Sequence, residues 1–97
     1  MSEERLFIVA YDIADSRRWR RVFKTMNGYG EWIQLSVFQC RLSRRRRAEL
    51  ELRLRELVKP GEDHVLVIEI GPADGIALAI ASIGKTFAAI ERRAIVI

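Results

Sequence analysis

Two aspartates and a group of arginines occupy a short stretch near the start of the chain, and these residue types suit chemistry on phosphate esters. Asp12 follows an apolar run at residues 6–10, and Asp15 comes three residues later. The basic residues that follow are Arg17, Arg18, Arg20, Arg21 and Lys24. Carboxylates can hold a divalent metal ion and guanidinium groups can hold phosphate, so the combination suggests work on a phosphodiester backbone.

The two aspartates differ in what else could explain them. An Asp directly before a helical run usually caps the helix, and we favour that role for Asp15 over metal binding. Asp12 ends a strongly apolar strand, where a charge costs stability unless something compensates it, so it is the better candidate for a functional carboxylate. For the arginines, a solvated helix face is the alternative to phosphate binding. Like charges at helical spacing repel one another, which favours an anionic ligand.

Composition bounds the class of protein. The chain has 97 residues and a formal charge of +4, which fit one domain with a polyanionic partner. A single cysteine, Cys40, excludes an intrachain disulfide, and a single histidine, His64, excludes a Cys/His zinc site. We assign both to packing. The N-terminus is polar and no apolar run reaches the ~20 residues of a membrane span, so we expect a cytoplasmic protein without a membrane partner.

Apolar periodicity predicts the elements that would position the candidate residues. Residues 6–10 have the character of a buried, central strand. Apolar residues at helical spacing predict a helix over 16–27 that ends at Gly28. Residues 31–42 form a β segment, which is either one long strand or a hairpin with a reversal near 34–36.

The second half of the chain is predicted in the same way. Ser43 caps a second helix, whose core stripe is Leu50, Leu54, Leu57 and Val58 and is widened by Leu52. A strand over 64–70 pairs beside the first strand, a loop spans 71–75, and a short helix runs from there to Ile83. The chain ends in an apolar strand at 94–97, which must add to a sheet edge of its own chain or of a partner.

The order of these elements is βαββαβ if the β segment is a hairpin. This order predicts an α+β, ferredoxin-like sandwich with an additional C-terminal strand. We expect a single domain over residues 1–97, in which 84–97 is a C-terminal extension ending in a strand. The small size of the domain and the apolar terminal strand favour a homodimer.

These motifs, taken in order, resemble the Cas2 family of small CRISPR-associated proteins. The matching segments are Tyr11-Asp12-Ile13 with Asp15, the arginine cluster leading to Val22 and Lys24, Tyr29-Gly30, residues 34–38 and Glu62-Asp63. The resemblance covers nearly the whole chain. It implies a ferredoxin-like homodimer in which the two copies of Asp12 face each other and share a divalent metal ion, magnesium or alternatively manganese.

The resemblance also implies an activity and partners. Family members are described as metal-dependent endonucleases on RNA or duplex DNA, and as the central dimer that bridges the CRISPR integrase Cas1 during spacer acquisition. Besides Asp12, the matching site positions are Tyr11, Ser36, Phe38 and either Arg18 or Arg21. His64 begins a strand that we place at a distance from Asp12, so no histidine is assigned as a general base, and the nuclease should be slow. A non-catalytic nucleic-acid-binding assembly module is the alternative, and an unrelated regulatory domain of the same fold stays open.

Overall fold

The computed structural model describes residues 3–84, which form four strands and two helices. In chain order these are β1 (Arg5–Asp12), α1 (Ser16–Asn27), β2 (Glu31–Gln34), β3 (Val37–Leu42), α2 (Arg44–Leu57) and β4 (His64–Pro72). The sheet has the order β2-β3-β1-β4 with antiparallel pairing throughout, which confirms the ferredoxin-like plan and the central position of β1. The strand predicted at 94–97 and all but the first residue of the predicted extension lie outside the described residues.

The β segment at 31–42 is a hairpin, which decides between the two alternatives. β2 and β3 pair around a reversal at Leu35 and Ser36. Leu35 adopts a left-handed backbone conformation with φ of 44°, which few residues other than glycine take without strain. The indole N–H of Trp32 donates to the Leu35 carbonyl at 2.9 Å and stabilises this turn. The turn contains no Gly or Pro, and the sequence pattern therefore left its existence open.

Both helices contribute to a core on one face of the sheet. Alternation along β1 turns Phe7, Val9 and Tyr11 toward that core. The buried helix residues are Val22, Phe23 and Met26 of α1 and Leu50 and Leu54 of α2. Leu52 does not widen the α2 stripe as predicted, because it lies about 200° around the helix from Leu50 and is 60% exposed. No helix in the described part of the chain is long and apolar enough to cross a membrane.

The opposite face of the sheet, which we call the open face, is not covered by either helix. Ala10 and Ile8 of β1 lie opposite Leu66 and Ile68 of β4 in the strand register. Leu66, Ile68 and Ile70 are each nearly half exposed. Apolar side chains of β1 and β4 therefore lie side by side on this face, next to the polar Gln39 and Arg41 of β3.

The segment after β4 departs from the sequence-based expectation. β4 continues to Pro72, past the predicted end of the strand. The short helix predicted between this loop and Ile83 is wrong, because residues 76–83 have no regular secondary structure. The Arg41 guanidinium donates to the carbonyls of Ala73 and Ile76 at 2.9 and 2.8 Å. These two hydrogen bonds tie the irregular backbone that follows β4 to β3.

Candidate metal and nucleic-acid site

Asp12 is the last residue of β1, and its side chain is exposed. Because side chains alternate along a strand, Asp12 lies on the open face while Tyr11 before it faces the core. Within residues 3–84 no hydrogen bond or ion pair engages the Asp12 carboxylate. An exposed, unengaged carboxylate at the end of a central strand is available to a ligand.

His64 lies directly across the sheet from Asp12. β1 and β4 pair so that Asp12 is opposite His64. Residues opposite each other in an antiparallel pair project on the same face, with Cβ atoms about 5 Å apart. His64 is exposed and, like Asp12, has no hydrogen-bond or ion-pair partner in the described chain. Its assignment to packing on a separate strand, away from the site, was therefore wrong, because the strand register brings it beside the candidate carboxylate.

A set of polar contacts, which we call the Asp63 clamp, joins the loop after β1 to the loop before β4. The buried Asp63 carboxylate accepts hydrogen bonds from the backbone N–H groups of Ala14 at 2.9 Å and Lys59 at 2.7 Å. The guanidinium of Arg18 pairs with Asp63 at 2.8 Å and with Glu62 at 3.1 Å. These contacts fix the two loops that adjoin Asp12 and His64.

Because of the Asp63 clamp, the free energy of unfolding depends on pH in the acid range. The hydrogen bond from the Arg18 guanidinium, helped by the two backbone donors, holds the pKa of Asp63 well below its usual range. A carboxylate with a lowered folded-state pKa adds stability that is present above its unfolded-state pKa of about 4 and is lost as the pH falls through the folded value.

We expect Asp63→Asn to be less stable than the unsubstituted protein at neutral pH, and this difference to shrink as the pH falls below about 4. Urea unfolding of both proteins at about pH 7, 4 and 3 measures the free energy of unfolding in each state. A stability difference between the two proteins that stays constant over the acid range would contradict this expectation.

Asp15 is the N-cap of α1, as predicted. Its side-chain oxygen Oδ2 accepts from the backbone N–H of Arg18 at 3.0 Å. This hydrogen bond is the main reason that the pKa of Asp15 is lowered. Asp15 is thus engaged in helix capping, which leaves Asp12 as the candidate carboxylate.

The other residues predicted for the catalytic site lie behind Asp12, toward the core. The backbone N–H of Tyr11 donates to the Ser36 carbonyl at 3.1 Å, which places the hairpin turn against the end of β1. The Ser36 hydroxyl accepts from the Trp19 indole at 2.9 Å. Burial raises the pKa of Tyr11, whose hydroxyl has no well-formed hydrogen bond within the described chain. Phe38 is fully buried and stacks on Tyr11, so any effect it has on a substrate is exerted through the position of Tyr11.

The basic residues of α1 fall into two groups. Arg18 is engaged by the Asp63 clamp, and only 21% of its side chain is exposed. The exposed basic residues that form no ion pair with an acidic residue in 3–84 are Arg17, Arg20, Arg21 and Lys24. They share the helix face away from the core, at spacings where like charges repel. Phosphate groups of a bound nucleic acid would relieve that repulsion.

One copy of the described chain does not hold enough ligands for a metal ion. Residues 3–84 contain no group of three or more His, Cys, Asp or Glu side chains placed to bind one. Mg²⁺ takes about six oxygen ligands, often one or two carboxylates with waters and substrate phosphates. Asp12 can supply one such carboxylate, and the remaining ligands would have to come from outside the described residues.

Comparison with known proteins identifies a family to which the sequence is similar. The family model described as CRISPR associated protein Cas2 matches residues 5–74. The CRISPR-associated endoribonuclease Cas2 of Geobacter sulfurreducens is 53% identical over 94 residues, which cover 97% of this chain and 99% of the relative. The CRISPR-associated endoribonuclease Cas2 1 of Rhodospirillum rubrum is also 53% identical, with 97% and 92% covered.

Solved structures share the fold. A hypothetical protein from Thermus thermophilus, TT1823, superposes with a TM-score of 0.73 at 32% identity and covers 88% of this chain and 99% of its own. A crystal structure described as cas2 has a TM-score of 0.71 at 34% identity, with 88% and 94% covered. Agreement of the family model, the close relatives and the fold shows that the chain belongs to the Cas2 family of CRISPR-associated proteins.

Proposed function

We propose that the protein is a metal-dependent endoribonuclease that acts as a homodimer in CRISPR adaptation. The observation that carries the proposal is Asp12, whose exposed carboxylate ends the central strand and makes no hydrogen bond or ion pair in residues 3–84. The names of the two relatives at 53% identity, both CRISPR-associated endoribonucleases, support RNA as the substrate.

A homodimer would supply the ligands that one chain lacks. The open face exposes Leu66, Ile68 and Ile70, and a second copy docked there would remove this apolar surface from water. Asp12 lies at the end of the same face, so pairing around a two-fold axis can bring two Asp12 carboxylates together. The two negative charges would repel each other without a cation between them, which favours binding of a divalent ion.

The chain's own residues have separable tasks in this proposal. Two copies of Asp12 hold the ion, and the Asp63 clamp keeps the adjoining loop in place. Arg17, Arg20 and Arg21 hold the nucleic acid through its phosphates. When bound, magnesium or manganese would neutralise charge on the scissile phosphate and favour attack by water. We expect slow turnover.

The activity can be tested with the unsubstituted protein. We expect cleavage of end-labelled single-stranded RNA in Mg²⁺ or Mn²⁺, and loss of cleavage when a chelator removes the metal ion. Duplex DNA of the same sequence is the matched substrate. RNA that stays intact under conditions where duplex DNA is cut would reject the substrate assignment, and cleavage that persists in chelator would reject the role of the metal ion.

A second candidate function is a binding module without relevant hydrolysis, in which the dimer holds duplex DNA and docks the integrase Cas1 during spacer acquisition. The observation that favours it is the set of four exposed basic residues on α1 defined above. Contacts to phosphate need charge rather than precise geometry, and these residues meet that need without Asp12. The two functions are compatible, and separate substitutions distinguish them.

A further inference from the structure

We propose that His64 is a second metal ligand beside Asp12, and that it makes the site prefer first-row transition ions to Mg²⁺. The inference rests on the proposed role of Asp12 in metal binding and adds a nitrogen donor to it. The sequence predicted that the two strands are neighbours, and their register places His64 opposite Asp12.

The geometry places both side chains where one ion can meet them. Asp12 and His64 are directly opposite in the antiparallel pair. The next pair, Tyr11 opposite Val65, packs against the core, so Asp12 and His64 share the open face. At a Cβ separation of about 5 Å, a carboxylate oxygen and an imidazole nitrogen can approach the same ion. Both side chains are exposed and have no partner in residues 3–84 that would have to be displaced.

The Asp63 clamp fixes the spacing of the two donors. Asp63 directly precedes His64, and its carboxylate holds the backbone N–H of Ala14, two residues after Asp12. The ion pair between Asp63 and Arg18 secures the same loop through the first turn of α1. A site whose backbone is fixed in this way loses little conformational freedom when it binds a ligand.

The donor types set the selectivity. Mg²⁺ prefers oxygen ligands, whereas imidazole suits Zn²⁺, Ni²⁺ and Co²⁺, and affinity for nitrogen donors rises along the first transition row. In the proposed homodimer, two carboxylates and two imidazoles would be available. Removal of the imidazoles should therefore weaken binding of Co²⁺ strongly and binding of Mg²⁺ little.

Binding of Co²⁺, followed by its visible absorption and by equilibrium dialysis, tests the proposal without reference to cleavage. We expect His64→Gln to bind Co²⁺ at least about tenfold more weakly than the unsubstituted protein, with a changed absorption spectrum, while Mg²⁺ affinity changes less than about twofold. His64→Asn provides a second variant, and Glu31→Gln, at an exposed position on the far edge strand, provides the control.

The outcomes separate this inference from the function on which it rests. Equal Co²⁺ affinity and equal spectra for the unsubstituted protein and both His64 variants would overturn the role of His64. If Asp12→Asn also binds Co²⁺ and Mg²⁺ as well as the unsubstituted protein, the Asp12 site itself is rejected. We expect that Asp12→Asn loses Co²⁺ binding and that both His64 variants bind Co²⁺ more weakly. Glu31→Gln should bind Co²⁺ as the unsubstituted protein does.

Discussion

Asp12→Asn is expected to lower metal-dependent cleavage of RNA by about a thousandfold while nucleic-acid binding survives. The amide keeps the size of the carboxylate but removes the charge that attracts a divalent cation. Because Asp12 makes no hydrogen bond or ion pair within the described residues, its replacement should leave the fold unchanged. Loss of one negative charge near bound phosphates can even strengthen binding slightly.

The measurement is the single-turnover rate on labelled RNA in Mg²⁺ or Mn²⁺, together with a binding titration in chelator. The matched control is Glu31→Gln, which removes an exposed carboxylate from β2, the edge strand on the side away from β4. The control should cleave at the unsubstituted rate. If Asp12→Asn cleaves as fast as its control, the nuclease activity does not come from this site, and the assembly module becomes the better description.

The triple substitution of Arg17, Arg20 and Arg21 by alanine should have the second large effect, on affinity for duplex DNA. Each phosphate contact contributes about 0.9 to the slope of log affinity against log salt concentration, so loss of three contacts should flatten that slope by about 2.7. Affinity at low salt should fall by at least tenfold, and the loss should be similar for different DNA sequences, since phosphate contacts carry no base information.

Arg18 is left in place in this variant because it belongs to the Asp63 clamp and its loss would disturb the fold. The control replaces Arg44, Arg45 and Arg53, three exposed residues of α2, and removes the same charge. Binding titrations at several salt concentrations should separate the two variants. A flatter slope in the α2 variant with an unchanged slope in the α1 variant would show that the nucleic-acid surface lies on α2 instead.

The helices and strands whose sequence signals come from neighbouring residues were predicted well. α1 begins after the cap at Asp15 and ends before Gly28, because capping and the apolar stripe are determined by neighbours in the sequence. The central strand and the second helix follow from the same kind of pattern. The helix predicted up to Ile83 was wrong. The apolar composition of residues 76–83 suggested a helix, whereas hydrogen bonds from the distant side chain of Arg41 hold the backbone at the start of this segment.

The site was predicted in part. Asp12 stood out because a charge at the end of an apolar strand needs a reason, and the capping role of Asp15 followed from its position before a helix. The proximity of His64 to Asp12 could not be predicted, because it depends on how β1 and β4 are aligned. The pairing of Arg18 with Asp63 joins the first turn of α1 to the loop before β4, which is distant in sequence, and the arginine pattern alone gave no sign that one member was engaged.

The number of metal ions bound per chain tests most directly whether two copies of Asp12 form one site. Equilibrium dialysis against Mn²⁺, on protein whose mass is measured in parallel by sedimentation equilibrium, gives both quantities from one preparation. We expect a dimer that binds about one ion per two chains at this site, and Asp12→Asn should bind none there. One ion bound per chain by a monomer, with the same amount bound by Asp12→Asn, would contradict a shared Asp12 site.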